Sequence, residues 1–405
     1  MYDMILVRFG EMTLKKDNYK FFLNRMVQNI EKKLSIFPHI KCTHTAYRFY
    51  IHLNGEDEQQ VISQLQTIVG IYSFSLCKKT TSDLDDIASV AIECLEDQKD
   101  RLPFTFKVET HRANKSYPLT SQEISQEVAK RVLPNVYGLS VDVHHPEVTL
   151  AIDLRNEGTY VYTRVIKGLG GYPSGMAGSG LLLISGGIDS PVAGYCAIRK
   201  GLKIEAIHYA SPPYTSDDAL QKVILLMERL AEYTSDGEII LHVVPFTDIQ
   251  LRIKEKSSTN YLMTIMRRTM MKIADAFARS HHIDCLVNGE SIGQVASQTI
   301  ESMKVANEVT NLPVIRPLVT YDKEEIVLLA KNIKTYETSI VPYEDCCTIF
   351  VPIHPATKPR LEVVIKEEEA CELEPLIREA LEHIETYNLS NKEKTRVRPY
   401  RLYEI

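Results

Sequence analysis

From its N-terminus the chain alternates short apolar runs with stretches of helical spacing. Residues 2–9 (YDMILVRF) predict a strand, and apolar residues recur at helical intervals through 18–34 (NYKFFLNRMVQNIEKKL). Residues 42–53 predict extended chain, 57–70 a helix and 72–79 a strand, an alternation that fits a small α+β sandwich of ferredoxin-like type. A second unit opens with an acidic helix at 83–97 (DLDDIASVAIECLED). It continues with a strand at 104–110, a helix at 121–133 and strands at 147–155 and 159–168.

Six glycines and a proline within 168–180 (GLGGYPSGMAGSG) mark a linker or loop. Beyond it, 181–184, 203–210, 238–246 and 284–289 are short apolar runs with few alternating polar residues, as expected of strands buried on both faces. Helices lie between them, which predicts a doubly wound parallel sheet. The fold class is therefore multidomain, with α+β units followed by an α/β unit. No internal repeat is visible, and KEEEACELE (366–374) reads as a solvated helix face.

At 405 residues the chain exceeds what a single core usually serves, in keeping with several domains. The net charge of −6 argues against a generally basic, nucleic-acid-coating protein, yet it leaves room for a local basic face. The first 80 residues hold 11 Lys and Arg against 7 Asp and Glu, whereas residues 81–165 hold 9 against 14, so positive charge is weighted to the N-terminus. There is no 18-residue apolar run, and the start lacks a basic region followed by an apolar one and a cleavage site. A cytoplasmic protein without a membrane partner is expected. Eight cysteines (42, 77, 94, 196, 285, 346, 347 and 371) include no C-x-x-C pair, so neither a disulfide scaffold nor a structural metal site is indicated.

The stretch LLLISGGIDSPVAGYCAIRKG (181–201) carries the first chemistry. In an open parallel sheet ligands collect at the carboxyl ends of strands, and the first βα turn commonly holds phosphate. Gly186 and Gly187 remove Cβ atoms that would block an anion, and Ser185 and Ser190 add hydroxyls. Ser190 as N-cap and Pro191 in the first turn would set a helix N-terminus behind the anion. A capped turn that binds nothing is the alternative. Serine at both ends, Asp189 inside, a strand before and a helix after favour phosphate. The loop is not a Walker A motif, because no lysine follows the glycines. S-G-G-x-D-S resembles the pyrophosphate loop of the PP-loop ATP pyrophosphatases, which split ATP between its α and β phosphates and adenylate a carbonyl or amide oxygen. That resemblance implies ATP, with Mg2+, as the ligand.

Three further stretches fit one nucleotide site. In HYASPPYTS (208–216), backbone groups of His208 and Tyr209 are placed to meet an adenine edge, although the stretch also reads as a simple loop with a surface histidine. In 260–279, Leu262, Ile265, Met266, Met270, Ile273 and Phe277 form one helical stripe. Arg267 falls on its flank, within reach of a cleft, and Arg268 points away, toward solvent. NGESIGQVASQT (288–299) is a second strand-turn-helix junction, with Gly289 set for close backbone approach and Gln298 a hydrogen-bonding candidate.

Together RFGEMTLKK, LLISGGIDSPVA, HYASPPYTS, MRRTMMKIA, GESIGQVASQT, VIRPL and PYEDCCTIFVP closely resemble the ThiI-type tRNA sulfurtransferases, the tRNA 4-thiouridine synthetases, over essentially the whole chain. The resemblance implies a ferredoxin-like domain at 1–76, a tRNA-binding THUMP domain at 77–165 and a PP-loop catalytic domain at 166–405. Position by position, the family's ATP contacts fall on Leu183, Ile184, His208, Tyr209, Arg267, Gly289 and Gln298, with the loop itself running from Ser185 to Ser190 and including Asp189. Longer members carry a C-terminal rhodanese domain. The sequence has no room for one after residue 405, so it resembles the short form, and sulfur is expected from a cysteine desulfurase or another persulfide carrier.

The family also uses a cysteine of the PP-loop domain in sulfur transfer, and EDCC supplies the match, Cys346 as the nearer counterpart and Cys347 beside it. The alternative is that both are structural thiols, the usual state of buried cysteine. An iron–sulfur cluster finds no C-x-x-C spacing to hold it. The implied reaction adenylates O4 of the uridine at position eight of tRNA, with the loop and Arg267 stabilising pyrophosphate; persulfide sulfur then attacks C4 and expels AMP. Docking of tRNA would rest on shape and phosphate contacts, without tryptophan stacking. A role in thiazole synthesis for thiamine and a homodimeric state are both left open. Two other classes compete: a PP-loop ligase acting on a small metabolite, which leaves the N-terminal extension unexplained, and an RNA-binding protein with an inactive nucleotide domain, against which the intact SGGIDS argues.

Overall fold

The computed structural model describes residues 2–15, 17–295, 298–343 and 356–390, apart from the side chain of Lys99. The chain divides into two compact units, Met1–Gly171 and Tyr172–Ile405.

The N-terminal unit runs β1 (Met4–Phe9), α1 (Tyr19–Leu34), β2 (Lys41–His44), β3 (Phe49–His52), α2 (Glu58–Leu65), β4 (Ile71–Thr80), α3 (Leu84–Glu96), β5 (Phe104–Arg112), α4 (Ser121–Val132), β6 (Leu139–Val141), β7 (Val148–Arg155), β8 (Gly158–Tyr162) and β9 (Ile166–Lys167). Its described strands form one sheet in the order β2-β3-β1-β4-β8-β7-β5-β6, with β9 also paired to β4. The ten-residue β4 makes this possible: Phe74–Cys77 pair with β1, and Lys78–Thr80 pair with β8. The boundary expected between residues 76 and 77 lies inside this strand.

Helix periodicity positions the cores. On α1, Leu23, Met26, Ile30 and Leu34 face Ile5, Val7, Phe49 and Phe74, while α3 and α4 bury Ile87, Ala91, Ile124 and Val128 against Phe106, Leu150 and Ile152. Both later helices start on side-chain caps, Asp83 for α3 and a Thr120–Glu123 capping box for α4. Two expectations change. The extended chain of 42–53 is a hairpin, in which the Thr45 N–H donates to the Arg48 carbonyl at 2.9 Å and Lys41 pairs with His52. The strand at 159–168 breaks into β8 and β9, which pair with different partners.

The C-terminal unit contains β10 (Ser179–Leu183), α5 (Asp189–Arg199), β11 (Lys203–Ala210), α6 (Asp217–Ala231), β12 (Glu238–Pro245), α7 (Thr247–Lys256), α8 (Leu262–Ser280), β13 (Cys285–Val287), α9 (Ile300–Asn307), β14 (Val314–Ile315), α10 (Lys323–Asn332), α11 (Tyr336–Ser339), α12 (Leu361–Glu369), α13 (Glu374–Glu382) and β15 (Glu385–Ser390). The sheet order is β14-β13-β10-β11-β12-β15, parallel throughout except for β15, which runs antiparallel to β12. Helices α5 and α6 pack together, and α7, α8 and α13 share a core with Leu181, Ile207, Val244 and Leu286, giving the doubly wound arrangement. Among the described residues no helix is long and apolar enough to cross a membrane.

Arg268 overturns its expected solvent exposure. It is 2% exposed, donating from Nε to Glu368 at 3.0 Å, from Nη1 to the Val305 carbonyl at 2.6 Å and from Nη2 to Glu308 at 3.0 Å. The side of α8 facing away from the sheet is covered by α9 and α12, and Glu368, on the stretch read as a solvated face, is itself buried. Arg268→Ala would strand that carboxylate beside Lys272 alone, 3.3 Å away. The expected result is a loss of about 3 kcal/mol in urea unfolding of the C-terminal unit, since breaking a buried pair leaves an uncompensated charge. Arg268→Lys should recover part of it.

Candidate active site

The central strand β10 sets the site. It pairs in parallel with β11 and β13 through Leu181 and Leu182, both fully buried, and ends at half-buried Leu183 and buried Ile184, whose N–H donates to the Ile207 carbonyl at 3.0 Å. The chain then turns through Ser185, Gly186, Gly187 and Ile188 into α5. Ser190 laces this turn closed. Its Oγ accepts from the Ser185 N–H at 3.0 Å and donates to the Ser185 carbonyl at 3.2 Å, with the Ser185 hydroxyl at 3.1 Å. The Gly187 N–H donates to Ser185 Oγ at 3.3 Å.

Ser190 is therefore not the N-cap. Helix α5 begins at Asp189, preceded by Ile188, and has no side-chain cap, because the hydroxyl that could supply one is spent on Ser185. Pro191 is the third helical residue, still within the turn whose amides have no intrahelical acceptor. An uncapped helix start behind a glycine turn suits an anion.

The sheet places other expected residues around the turn. Gly289 follows β13 against the start of α5: a Cβ there would lie 2.7 Å from the Ser190 nitrogen and 2.8 Å from the Asp189 carbonyl carbon, contacts no backbone tolerates. The close approach expected of Gly289 is thus to the loop's own backbone. His208 is no surface histidine. It is 5% exposed, its Nδ1 3.1 Å from the Ile184 carbonyl. Strand alternation sends Tyr209 to the opposite face, where its hydroxyl donates to the Met270 carbonyl at 2.5 Å and its ring meets Phe246 edge-on. Among the described residues the Gln298 side-chain oxygen is buried without a hydrogen-bond partner, and it is an acceptor suited to a ligand's N–H.

Arg267 pairs with Glu290, a carboxylate 11% exposed. Arg316, from the VIRPL segment, donates to the same carboxylate at 2.6 Å and to Asn307 at 2.6 Å. Burial lowers the Arg316 pKa. Asp189 accepts from Lys323 Nζ at 2.5 Å, and Lys323 also reaches Gln294 at 3.4 Å. Lys222 on α6 is 7% exposed, donates to the Val341 carbonyl at 2.8 Å and lies about the Gly186 Cα, its ammonium 3.5 Å from where a Cβ would stand. These side chains set four cationic groups, Lys222, Arg267, Arg316 and Lys323, against the carboxylates of Asp189 and Glu290. The excess suits a polyphosphate.

Lys222, Arg316 and Lys323 escaped the sequence reading, although two left signals. Lys222 stands in the buried stripe of α6 between Ala219 and Leu226, where a solvated lysine has no place. Lys323 opens α10, and a cation at a helix N-terminus opposes the dipole unless something else holds it.

Cys346 and Cys347 lie outside the described residues. The six described cysteines are buried or half-buried. Burial pushes the thiols of Cys42 and Cys94 up to about 12 and that of Cys285 to about 11, which makes them poor nucleophiles. Among the described residues no group of three His, Cys, Asp or Glu side chains is placed to hold a metal ion. Asp189 alone fits the single carboxylate that magnesium commonly takes when phosphates supply its other ligands.

A doubly wound sheet with a glycine-serine turn at the end of its central strand, ringed by cations, is the nucleotide-binding half of a PP-loop protein. Family models match along the chain: the ThiI ferredoxin-like domain over residues 4–75, the THUMP domain over 81–164, and "Thiamine biosynthesis protein (ThiI)" over 175–373. Proteins named "Probable tRNA sulfurtransferase" from Geobacillus sp. (strain WCH70) and Listeria welshimeri are 46% and 44% identical over 388 and 397 residues, covering 95% and 98% of both chains. A solved 4-thiouridine synthetase, in complex with RNA and bound ATP, superposes with a TM-score of 0.87 at 34% identity, covering 96% of this chain and all of that one. PH1313 from Pyrococcus horikoshii shares the fold, with a TM-score of 0.64 at 20% identity over 82% of this chain and 99% of its own. The chain belongs to the ThiI-type tRNA sulfurtransferase family.

Proposed function

We propose that this enzyme uses ATP to adenylate O4 of the uridine at position eight of tRNA, and then replaces that oxygen with sulfur from a persulfide donor to give 4-thiouridine. One observation carries the reading: the SGGIDS turn is laced by Ser185 and Ser190 at an uncapped helix start and faced by Lys222, Lys323 and Asp189. The 34% identical synthetase that binds ATP and RNA supports the choice of substrates.

In this reading the turn and the α5 N-terminus take the phosphates, and Lys222 and Lys323 balance charge as pyrophosphate leaves. Leu183 and Ile184 contribute backbone beside the nucleotide, His208 and Tyr209 flank its base, and Gln298 accepts a hydrogen bond from it. Arg267, steadied by Glu290, faces the phosphates. Magnesium, held by Asp189, would supply further charge neutralisation at the phosphates. Sulfur transfer falls to Cys346 and Cys347. Purified enzyme should release pyrophosphate only when tRNA is present and AMP only when a sulfur donor is present as well, and bulk tRNA from cells lacking the gene should contain no 4-thiouridine. Pyrophosphate release with a small metabolite in place of tRNA, or normal 4-thiouridine in the deletion strain, would overturn the reading.

Delivery of the same sulfur to thiazole is a second use. The description of the family model over residues 175–373 as a thiamine biosynthesis protein favours it. A deletion strain that grows normally without thiamine would exclude it.

A further inference from the structure

A cluster of guanidinium groups lies in the N-terminal unit, on the sheet face turned away from α1 to α4. Along β1, Ile5 and Val7 join the helix-side core and Met4 and Leu6 the opposite one; along β7, Leu150, Ile152 and Leu154 do the same while Asp153 faces the other way. That second face is dry: Leu6, Tyr50, Cys77 and Tyr160 are each 3% exposed or less. Arg48 and Arg155 meet there around one carboxylate, Asp153, whose side chain is 2% exposed, and Arg8 lies near enough to act on the charge of Arg48.

The donors outnumber the acceptors. Arg155 Nε lies 3.0 Å and Arg48 Nε 3.8 Å from Asp153, yet neither N–H is aimed at it well enough to make a hydrogen bond. Arg8 donates to Ser75 at 3.0 Å and lies 4.8 Å from the centre of the Tyr162 ring, while its Nη2 is buried with no hydrogen-bond partner among the described residues. The Arg155 side chain is 10% exposed and that of Arg48 22%, so the cluster opens to solvent at Arg48. One carboxylate, Asp153, stands at salt-bridge distance from two of the three guanidinium groups, with a second, Glu157, held by the Tyr50 hydroxyl at 2.7 Å on the same face. The cluster keeps a net positive charge, and guanidinium cannot shed its proton to relieve it. Burial, then Arg155, lowers the Arg48 pKa, with Arg8 adding to the effect and Asp153 opposing it.

We infer that Arg8, Arg48 and Arg155 form a phosphate-binding pocket that holds one backbone phosphate of the bound RNA. A phosphate group carries acceptors only, matches the guanidinium fork and removes the charge imbalance. The assignment of RNA as the source of the phosphate rests on the tRNA reading above.

The test uses the full chain. Arg48→Gln should weaken tRNA binding about tenfold at low salt and make the slope of log affinity against log salt shallower by about 1. Asp153→Asn gives the opposite sign: removing the competing carboxylate should tighten tRNA binding, whereas a purely structural ion cluster would lose stability and affinity together. Phenylglyoxal labelling of the unaltered protein reports on the pocket whether or not the variants fold, and tRNA should protect Arg48. Unchanged affinity and slope in Arg48→Gln, or labelling of Arg48 unaffected by saturating tRNA, would overturn the pocket while leaving tRNA binding by the parent protein intact. Protection by inorganic phosphate but not by tRNA would mark a small-anion site and overturn the RNA assignment. Failure of the parent protein to bind tRNA would instead remove the reading on which the proposal rests.

Discussion

Asp189→Ala should fold normally and lose tRNA-dependent pyrophosphate release by a factor of about a thousand. The carboxylate opens α5 at the mouth of the SGGIDS turn, where a helix start favours negative charge, and Lys323 meets it at 2.5 Å. The Lys323 and Asp189 side chains are 49% and 24% exposed, and a pair so open to water contributes little to stability. The loss should therefore appear in the rate and leave the melting temperature nearly unchanged. Asp189→Asn separates two roles. If the charge binds magnesium, the amide is as inactive as alanine. If Asp189 only aligns Lys323, an amide oxygen keeps the hydrogen bond and much of the activity. Pyrophosphate release near the parental rate in Asp189→Ala would remove this residue from the site.

The β10-turn-α5 unit was legible because its signals are local: an apolar run too short for a helix, two glycines, and hydroxyls at both ends of the turn. Contacts made by distant elements were not. Helical periodicity correctly placed the stripe of α8 that faces the sheet, but Arg268 is covered by Val305 and Glu368, 37 and 100 residues further on. Lys323 reaches Asp189 across 134 residues, with only the awkward position of a cation at a helix start to announce it. The edge strand β15 (ETYNLS) escaped notice because its pairing to β12 is a backbone matter. Of its six residues only Leu389 is buried, so it shows no apolar run. Gly289 was legible as a residue needing closeness, but the backbone it approaches could come only from the assembled sheet.

Cys346→Ser should still consume ATP when tRNA is present yet form no 4-thiouridine with a persulfide donor. Adenylation joins a uridine oxygen to phosphorus and needs no thiol. Sulfur transfer needs one: when the terminal sulfur of a persulfide attacks C4 and AMP departs, the uridine is left tied through two sulfurs to the donor. A second thiolate must attack the donor-side sulfur, releasing the thiolated base and leaving a disulfide that a reductant then opens. The described cysteines of the C-terminal unit, Cys196, Cys285 and Cys371, are poorly suited, since burial raises the pKa of each thiol. Cys346 and Cys347 are the remaining thiols of that unit, adjacent in EDCC. Cys347→Ser should be mild if that residue is structural and as severe as Cys346→Ser if the two act in relay. Sulfide as donor should restore product in Cys346→Ser, because sulfide brings its own nucleophile and leaves no link to resolve. Accumulation of tRNA joined through two sulfurs to the persulfide donor, with AMP already released, and no such conjugate when sulfide is the donor, is the expected signature. Parental yields of 4-thiouridine from Cys346→Ser with a persulfide donor would show that the donor protein both delivers and resolves the sulfur, and would take EDCC out of the reaction.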